Sequence, residues 1–379
     1  MENKKKVIFA LYNLSLISNW ISQLHPYMNN CEIHILHIGK LQGVNPQIIG
    51  NILFHDVSYY SGRQISNLIM EIRPQLCVIL SFRSIFEFTI QKICRELNVK
   101  QVYLEHGLFT KDSTAFNTKK GKSNIIKTIK RQLVFIYQYL TFIFFKNKIL
   151  NNVTNLYRFI VKGNFSCSPF DKYLLYSKRS FDLLSPIFPL DKGNTILVGY
   201  PFFSNEKSIS QLNSIKTEEG GVLYVHQPFI LDKATNINYD DEKKYINNIA
   251  SYLSKSYSSF TILLHPRENI KKYLELYSNT SIRVIQSPNN FRCFTDKSLI
   301  LGHYSTALLY ALYFSKPTFI IDYPNINIDK TFCECFTYIK NISEIDENKI
   351  SSIQKEANRE YFIGNYFTYE HIASILVNI

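Results

Sequence analysis

The chain is poor in several residues that mark special classes of protein. One tryptophan, three methionines and 13 glycines in 379 residues exclude glycine-rich low complexity and any collagen-like repeat. The seven cysteines, Cys31, Cys77, Cys94, Cys167, Cys293, Cys333 and Cys335, are odd in number and scattered. They form neither a disulfide framework nor a zinc-ligand spacing, and reduced thiols are expected. Cys333 and Cys335 lack a matching second pair, so no metal site is expected. No apolar run approaches the roughly 18 to 20 residues that cross a bilayer as a helix. Residues 1–6 are basic but lead into an apolar stretch at 7–12 that is too short for a signal peptide and lacks a small-residue cleavage site. These absences predict a cytoplasmic protein.

Acidic residues are missing where it matters most. From residue 113 to 170 there is no Asp or Glu, while ten Lys or Arg fall between 119 and 162, in a chain of net charge +13. Inside that window, residues 133–145 form an almost continuous apolar and aromatic run, bracketed by Lys127, Lys130, Arg131, Lys146 and Lys148. Such a run is too short to span, but it can lie in the headgroup boundary while lysines reach anionic lipid. A core helix with a solvated basic flank is the alternative; core packing does not require the absence of acids. The expectation is a peripheral association of segment 119–162 with the inner face of the cytoplasmic membrane. No nucleic-acid-binding module accompanies the basic window, so nucleic acid is not expected as a partner.

What is present is a folded α/β protein. With 46% hydrophobic and 15% aromatic residues the chain is too apolar for disorder, and its length suits two cores rather than one. The first third alternates strands and helices: strands at 7–12, 31–38, 76–80 and 99–104, helices at 15–29, 61–72 and 84–97. Strands at 172–177 and 195–199 end this domain. Residues 204–220 are polar, end in Gly220-Gly221 and read as a linker. A second series follows: strands at 221–225, 260–264, 282–286, 299–301 and 318–322, with helices at 240–256, 306–314, 350–361 and 369–379. The expected fold is α/β GT-B, two Rossmann-like domains facing across a cleft. The N-terminal domain is 1–203, with the basic insertion at 113–170. The C-terminal domain is 221–379, its last helix packing back on the first domain.

Three strand ends carry candidate chemistry. His265-Pro266-Arg267 directly follows an apolar strand; a protonated imidazole there can neutralise a phosphate, and Arg267 can add a fork of donors. Gly302-His303-Tyr304-Ser305-Thr306 follows another strand and opens an apolar helix, a place where backbone N–H groups and hydroxyls can hold phosphate. Either hydroxyl alone is better read as a helix cap; their company with His265 at a strand end of the same domain favours phosphate binding. At the end of a first-domain strand, Glu105-His106-Gly107 offers two candidate bases, Glu105 and His106. A plain turn carboxylate is the alternative for Glu105.

These residues resemble the bacterial sialyltransferases and polysialyltransferases of capsule and lipooligosaccharide synthesis, whose motifs run acidic-acidic-Gly, then His-Pro, then Ser-Ser/Thr. Glu105-His106-Gly107, His265-Pro266 and Ser305-Thr306 stand in the same order. The segment from Val222 through His226-Gln227-Pro228-Phe229 is similar to that group's strand plus Gln-Pro. The resemblance implies inverting transfer of sialic acid from CMP-sialic acid to a glycan or lipid-linked glycan acceptor such as lipooligosaccharide, O-antigen or capsule. It implies that the acidic motif supplies the base, His265 assists departure of CMP, and Ser305 and Thr306 bind its phosphate with Gln227, Pro266, Arg267 and Gly302 nearby. It implies no metal and no cofactor beyond the donor substrate. His106 stands at the family's second acidic position. His106-Gly107 and His265-Pro266-Arg267 also resemble the CDP-glycerol and CDP-ribitol phosphotransferases. A basic membrane-surface binding protein without catalysis is the reading from another class.

Overall fold

The computed structural model describes residues 4–11, 21–39, 45–82, 84–106, 122–145, 169–200, 220–286, 292–303, 305, 307–326, 336–345, 361–364 and 368–379, with backbone only for 122–130, 145 and 292. Gly107, Thr306, Cys167, Cys333, Cys335, most of the expected linker and nearly all of the expected helix at 350–361 lie outside the described residues. The chain divides into two compact units. One comprises Met1–Leu108, Ser123–Ser204 and Gly364–Ile379, the other Phe109–Lys122 and Asn205–Ile363.

The first unit is built on an eight-stranded sheet. Its strands are β1 (Lys5–Leu11), β2 (Cys31–His37), β3 (Gln47–Ile49), β4 (Ile52–Asp56), β5 (Leu76–Ile79), β6 (Lys100–Leu104), β7 (Lys172–Leu175) and β8 (Thr195–Leu197). They lie in the order β3-β4-β2-β1-β5-β6-β7-β8. All neighbours are parallel except the edge hairpin β3–β4. Leu76, Cys77, Val78 and Ile79 are buried at every position, as expected for a central parallel strand covered on both faces. Helix α1 (Gly62–Ile72) begins at a capping box in which the Ser61 hydroxyl accepts Gln64 N–H while Ser61 N–H donates to the Gln64 side chain. It buries Ile65, Ile69 and Ile72 at helical spacing and stops at Arg73, whose φ is 53°, just before Pro74. Helix α2 (Ile85–Glu96) starts at Ser84, whose hydroxyl accepts Glu87 N–H.

Helix α3 (Lys122–Phe145) lies in the basic window, and the short α4 (Lys178–Leu184) follows β7. Gly62 sets the seat of α3. A Cβ there would stand 2.1 Å from the Gln138 carbonyl oxygen and 2.5 Å from Phe142 Cβ, so α1 and α3 meet backbone to backbone. Gly62 N–H donates to Thr141 Oγ1 at 2.8 Å, and Gln138 Nε2 donates to the Val57 carbonyl at 2.7 Å.

The second unit holds a six-stranded, wholly parallel sheet: β9 (Gly221–Val225), β10 (Ser259–Leu263), β11 (Arg283–Ile285), β12 (Leu299–Gly302), β13 (Thr318–Ile321) and β14 (Thr337–Ile339). Their order, β11-β10-β9-β12-β13-β14, reverses direction between β9 and β12, the switch point where open α/β sheets bind ligands beyond their strand ends. Helices α5 (Tyr239–Leu253), α6 (Ile270–Leu276), α7 (Arg292–Thr295) and α8 (Leu308–Tyr313) connect the strands. The core includes Val222, Tyr224, Ile246, Ile249, Ile262, Leu301 and Phe319.

The last helix, α9 (Tyr369–Asn378), belongs to the first unit. Lys5 Nζ donates to the carbonyls of Leu376 and Val377 at 3.2 and 2.7 Å, a cation closing a helix C-terminus. Cys31, Cys77, Cys94 and Cys293 are buried free thiols. Among the described residues no helix is long and apolar enough to cross a membrane.

Candidate functional site

Three neighbouring strands of the second sheet each run into a histidine. His226 follows β9, His265 lies two residues beyond β10, and His303 follows β12. The sequence pointed to His265; His226 reaches its turn through Glu268, while His303 is bonded to Tyr224 and the Ile321 carbonyl.

His265-Pro266-Arg267-Glu268 is a closed turn. Glu268 N–H donates to the His265 carbonyl at 3.0 Å, with proline at the position whose φ the turn requires. The Glu268 carboxylate reaches back to accept His265 N–H at 3.2 Å. Gln286 Nε2 clamps the turn from outside, lying 2.9 Å from the His265 carbonyl and 2.8 Å from that of Glu268. The His265 ring is half-buried, and its Nδ1 accepts Arg267 N–H at 3.2 Å. That bond places the imidazole proton on Nε2. Burial, then the positive charge of Arg267, lower the His265 pKa. The ring is therefore a neutral Nε2–H donor near pH 7, in place of the protonated imidazole expected from the sequence.

Arg267 is used differently from the sequence expectation. Its guanidinium is paired end-on with Asp232 through Nη1 and Nη2, both N···O distances being 2.7 Å. The pair is exposed and contributes little to stability, but it ties the loop after β9 to the His-Pro turn. Pro266 is exposed, and Gln227 Nε2 donates locally to the His226 carbonyl at 3.2 Å.

Beneath the turn lies a buried polar cluster. His226 donates from Nδ1 to Glu268 Oε2 at 2.8 Å and from Nε2 to Glu242 Oε1 at 2.9 Å. The Tyr273 hydroxyl bridges the two carboxylates, 2.9 Å from Glu242 Oε2 and 2.8 Å from Glu268 Oε1, and Tyr323 donates to Glu242 Oε1. Burial alone would lower the His226 pKa, but hydrogen bonds to Glu242 and Glu268 and their charges outweigh it and raise it to about 9. Glu242 shows the converse: burial would raise its pKa, and the bond to His226 and its charge hold it below the usual carboxylate range. The cluster is thus an imidazolium hydrogen-bonded through both ring nitrogens to two carboxylates, which share the single Tyr273 hydroxyl proton. His303 differs. Burial pushes its pKa down to about 3, its Nδ1–H donates to the Ile321 carbonyl at 2.6 Å, and its Nε2 accepts from Tyr224.

The sequence reading missed His226, Glu242, Glu268, Tyr273 and Tyr323. The signals were acids at Glu242, on a helix with an apolar face, and at Glu268, three residues after His265, with a histidine ending the first strand of the domain.

A helix opening at Thr306 was expected, and that residue lies outside the described ones; α8 runs from Leu308 with Ala307 as its cap and is six residues long. The Ser305 hydroxyl accepts Ala307 N–H at 3.2 Å, and its carbonyl accepts Leu308 N–H at 3.1 Å. Ser305 thus shapes its own turn, because a short hydroxyl side chain bonds its near backbone in preference to continuing a helix. Gly302 is a packing glycine: a Cβ there would stand 2.9 Å from Leu308 Cδ2.

In the first unit, Glu105 and His106 follow β6. Glu105 is 1% exposed. Its Oε2 accepts Tyr176 N–H at 2.7 Å and its Oε1 accepts the Ser180 hydroxyl at 2.8 Å. These bonds tie β6 to the start of α4, the turn-carboxylate arrangement that was the alternative reading for Glu105. His106 is half-buried, and its Nδ1–H donates to the Leu80 carbonyl at the end of β5. That bond fixes the tautomer with a lone pair on Nε2, the form a general base needs. The structure therefore keeps Glu105 and His106 together in one unit, and His265, Ser305, Gly302, Gln227, Pro266 and Arg267 in the other. Among the described residues no group of three or more His, Cys, Asp or Glu side chains could hold a metal ion.

No family model matches the sequence. No curated protein matches it either. Solved structures do match. A Methanocaldococcus jannaschii UDP-GlcNAc 2-epimerase in complex with UDP-GlcNAc and UDP aligns over 99% of this chain and 100% of its own, at 14% identity and a TM-score of 0.50. The wall teichoic acid polymerase TagF, as a variant, aligns over 99% of this chain and 88% of its own, at 12% identity and a TM-score of 0.53. The S. aureus MnaA–UDP structure covers 95% of this chain and 93% of its own, at 13% identity and a TM-score of 0.50. At such identities the likeness speaks for architecture. The chain has the GT-B fold, with two Rossmann-like units each built on a predominantly parallel sheet.

Proposed function

We propose that this chain is a transferase that moves a sugar from a cytidine-nucleotide donor to a hydroxyl of a surface glycan, with CMP-sialic acid the donor to which its motifs point. The observation that carries the reading is the His265 turn. It presents a neutral Nε2–H at the carboxyl edge of the second sheet, where α/β folds bind ligands, and a buried ion cluster holds it in place. The solved structures of like fold include proteins in complex with UDP-GlcNAc and UDP, which supports a nucleotide-activated donor.

In this mechanism the acceptor hydroxyl loses its proton to a general base, the role for which Glu105 and His106 are the candidates, as its oxygen bonds to the anomeric carbon. The bond from that carbon to the donor phosphate breaks, and CMP leaves with the electron pair. His265 Nε2–H donates to the phosphate oxygen on which negative charge grows. Ser305 and Thr306 stand close in sequence as further donors, and Gln227 and Arg267 shape the loop around the nucleotide. Neither a metal nor a further cofactor is assigned a part.

A second reading rests on a specific observation. The Glu105 carboxylate is engaged by Tyr176 and Ser180, which favours a reading in which His106, a histidine followed by glycine as in the CDP-polyol phosphotransferases, takes the base role. TagF, one of the like folds, has been studied with CDPG. There the acceptor oxygen would attack the distal phosphorus and the pyrophosphate bond would break. CMP leaves in both reactions. The test is to supply CMP-sialic acid and a CDP-polyol separately with a lipooligosaccharide-type acceptor and to weigh the product by mass spectrometry. A gain of sialic acid supports the first reading, and a gain of polyol phosphate the second. No CMP release from either donor contradicts both.

A further inference from the structure

Helix α3 has two apolar faces, and among the described residues only one of them is buried. Phe135, Gln138, Tyr139, Phe142 and Ile143 are buried. Phe135 lies against Phe86, ring centroids 5.9 Å apart, and Tyr139 against Phe88 at 5.4 Å. The contact at Gly62 fixes the helix further. On the opposite side Leu133, Tyr137 and Phe144 are 59%, 53% and 57% exposed, with Leu140 half-buried beside them. At about 100° per residue these four fall in a stripe roughly 60° wide, roughly 180° from the centre of the buried face. Large apolar side chains lined up this way signal a surface with a partner.

The charge around the stripe identifies the partner. No Asp or Glu occurs from 113 to 170, and Lys127, Lys130 and Arg131 precede or enter the apolar segment while Lys146 and Lys148 follow it. A second copy of this chain would bring two such basic segments together and repel. A nucleic acid would match the charge but leave the apolar stripe in water. An anionic bilayer satisfies both features, because acyl chains accept the stripe and headgroup phosphates accept the lysines. We propose that the outer face of α3, centred on Leu133, Tyr137, Leu140 and Phe144, lies in the interface of an anionic lipid membrane with the helix axis in the membrane plane, while its inner face stays docked on α1 and α2. This assignment is independent of the transferase reading.

The test is flotation of the full chain with vesicles of phosphatidylcholine alone and with vesicles that also contain phosphatidylglycerol. The chain floats with the anionic vesicles and stays behind with the neutral ones. The triple variant Leu133→Ser, Tyr137→Ser, Phe144→Ser keeps its circular dichroism and melting midpoint, because the replaced side chains face outward, and its flotation falls about tenfold or more. The single variants Leu133→Ser and Phe144→Ser each give a partial loss, and they decide the matter if the triple variant does not fold. Wild-type chain that ignores anionic vesicles overturns the proposal, as do variants that float as well as wild type. Sedimentation showing a wild-type dimer that the variant converts to monomer, without flotation of either, assigns the face to a second copy and also overturns it.

Discussion

His226 Nδ1 lies 2.8 Å from Glu268 Oε2, and the same oxygen accepts the backbone N–H of His265 at 3.2 Å. A buried imidazolium therefore orients the carboxylate that closes the His-Pro turn. The consequence is a stability that depends on pH in a definite direction. His226 has a folded pKa raised to about 9 from an ordinary 6.5. Its stabilisation is complete below about 6.5 and is lost as pH rises through about 9. Melting midpoints of wild type and His226→Gln across that window will differ most at the acid end and converge at the alkaline end. Below pH 6.5 the variant loses about 3–5 kcal/mol, since two carboxylates then face each other without the cation. A constant difference across the window contradicts a charged His226.

His265 acts as a neutral donor in this account. His265→Ala lowers the transfer rate by about 10²-fold or more without moving the melting midpoint appreciably. His265→Gln keeps an N–H near the position of Nε2 and retains clearly more activity than the alanine variant. Equal inactivity of the two would mean that proton donation, and not hydrogen bonding, is required. Steady-state rates of the purified variants decide it.

Glu105 and His106 separate structure from chemistry. Glu105→Gln replaces one of two accepting oxygens and leaves Tyr176 N–H or the Ser180 hydroxyl without its acceptor. Denaturant unfolding shows a loss of about 1–3 kcal/mol, while the folded variant keeps most of its turnover. His106→Ala does the reverse: it folds normally and loses activity. Normal turnover in His106→Ala returns the base role to another residue.

Gly62→Ala tests the seat of α3. The added methyl meets the Gln138 carbonyl and Phe142 Cβ, neither at the end of a flexible chain, and overpacking of this kind costs about 1–3 kcal/mol. The loss appears as a lower melting midpoint and faster amide exchange within the helix.

Much of the fold was legible because its central strands are short apolar runs bounded by polar turns; β5, β6, β9, β10 and β13 came out within a residue or two of their bounds. The edge hairpin β3–β4 was overlooked, although Gly50-Asn51 between two isoleucines is a hairpin signal. Its strand residues His55 and Asp56 interrupt the apolar pattern that marks a strand. Helix α6 escaped because seven residues give too little periodicity. At the candidate site, His265 was found because its strand and proline are adjacent in sequence. The cluster beneath it was not, because His226, Glu242, Glu268 and Tyr323 are drawn from four separate segments and meet only in the fold. The hydrogen bonds of Glu105 were hidden for the same reason: its partners Tyr176 and Ser180 are more than 70 residues away.

The most direct test of the central claim is a nucleotide titration of the melting midpoint, with CMP, CDP, UDP and GDP added separately to wild type and to His265→Ala. Cytidine nucleotides alone raise the wild-type midpoint, equivalent to about 2.7 kcal/mol when nucleotide is 100 times its Kd, and His265→Ala loses most of that rise. Preferential stabilisation by UDP, or a rise that His265→Ala leaves untouched, contradicts the claim.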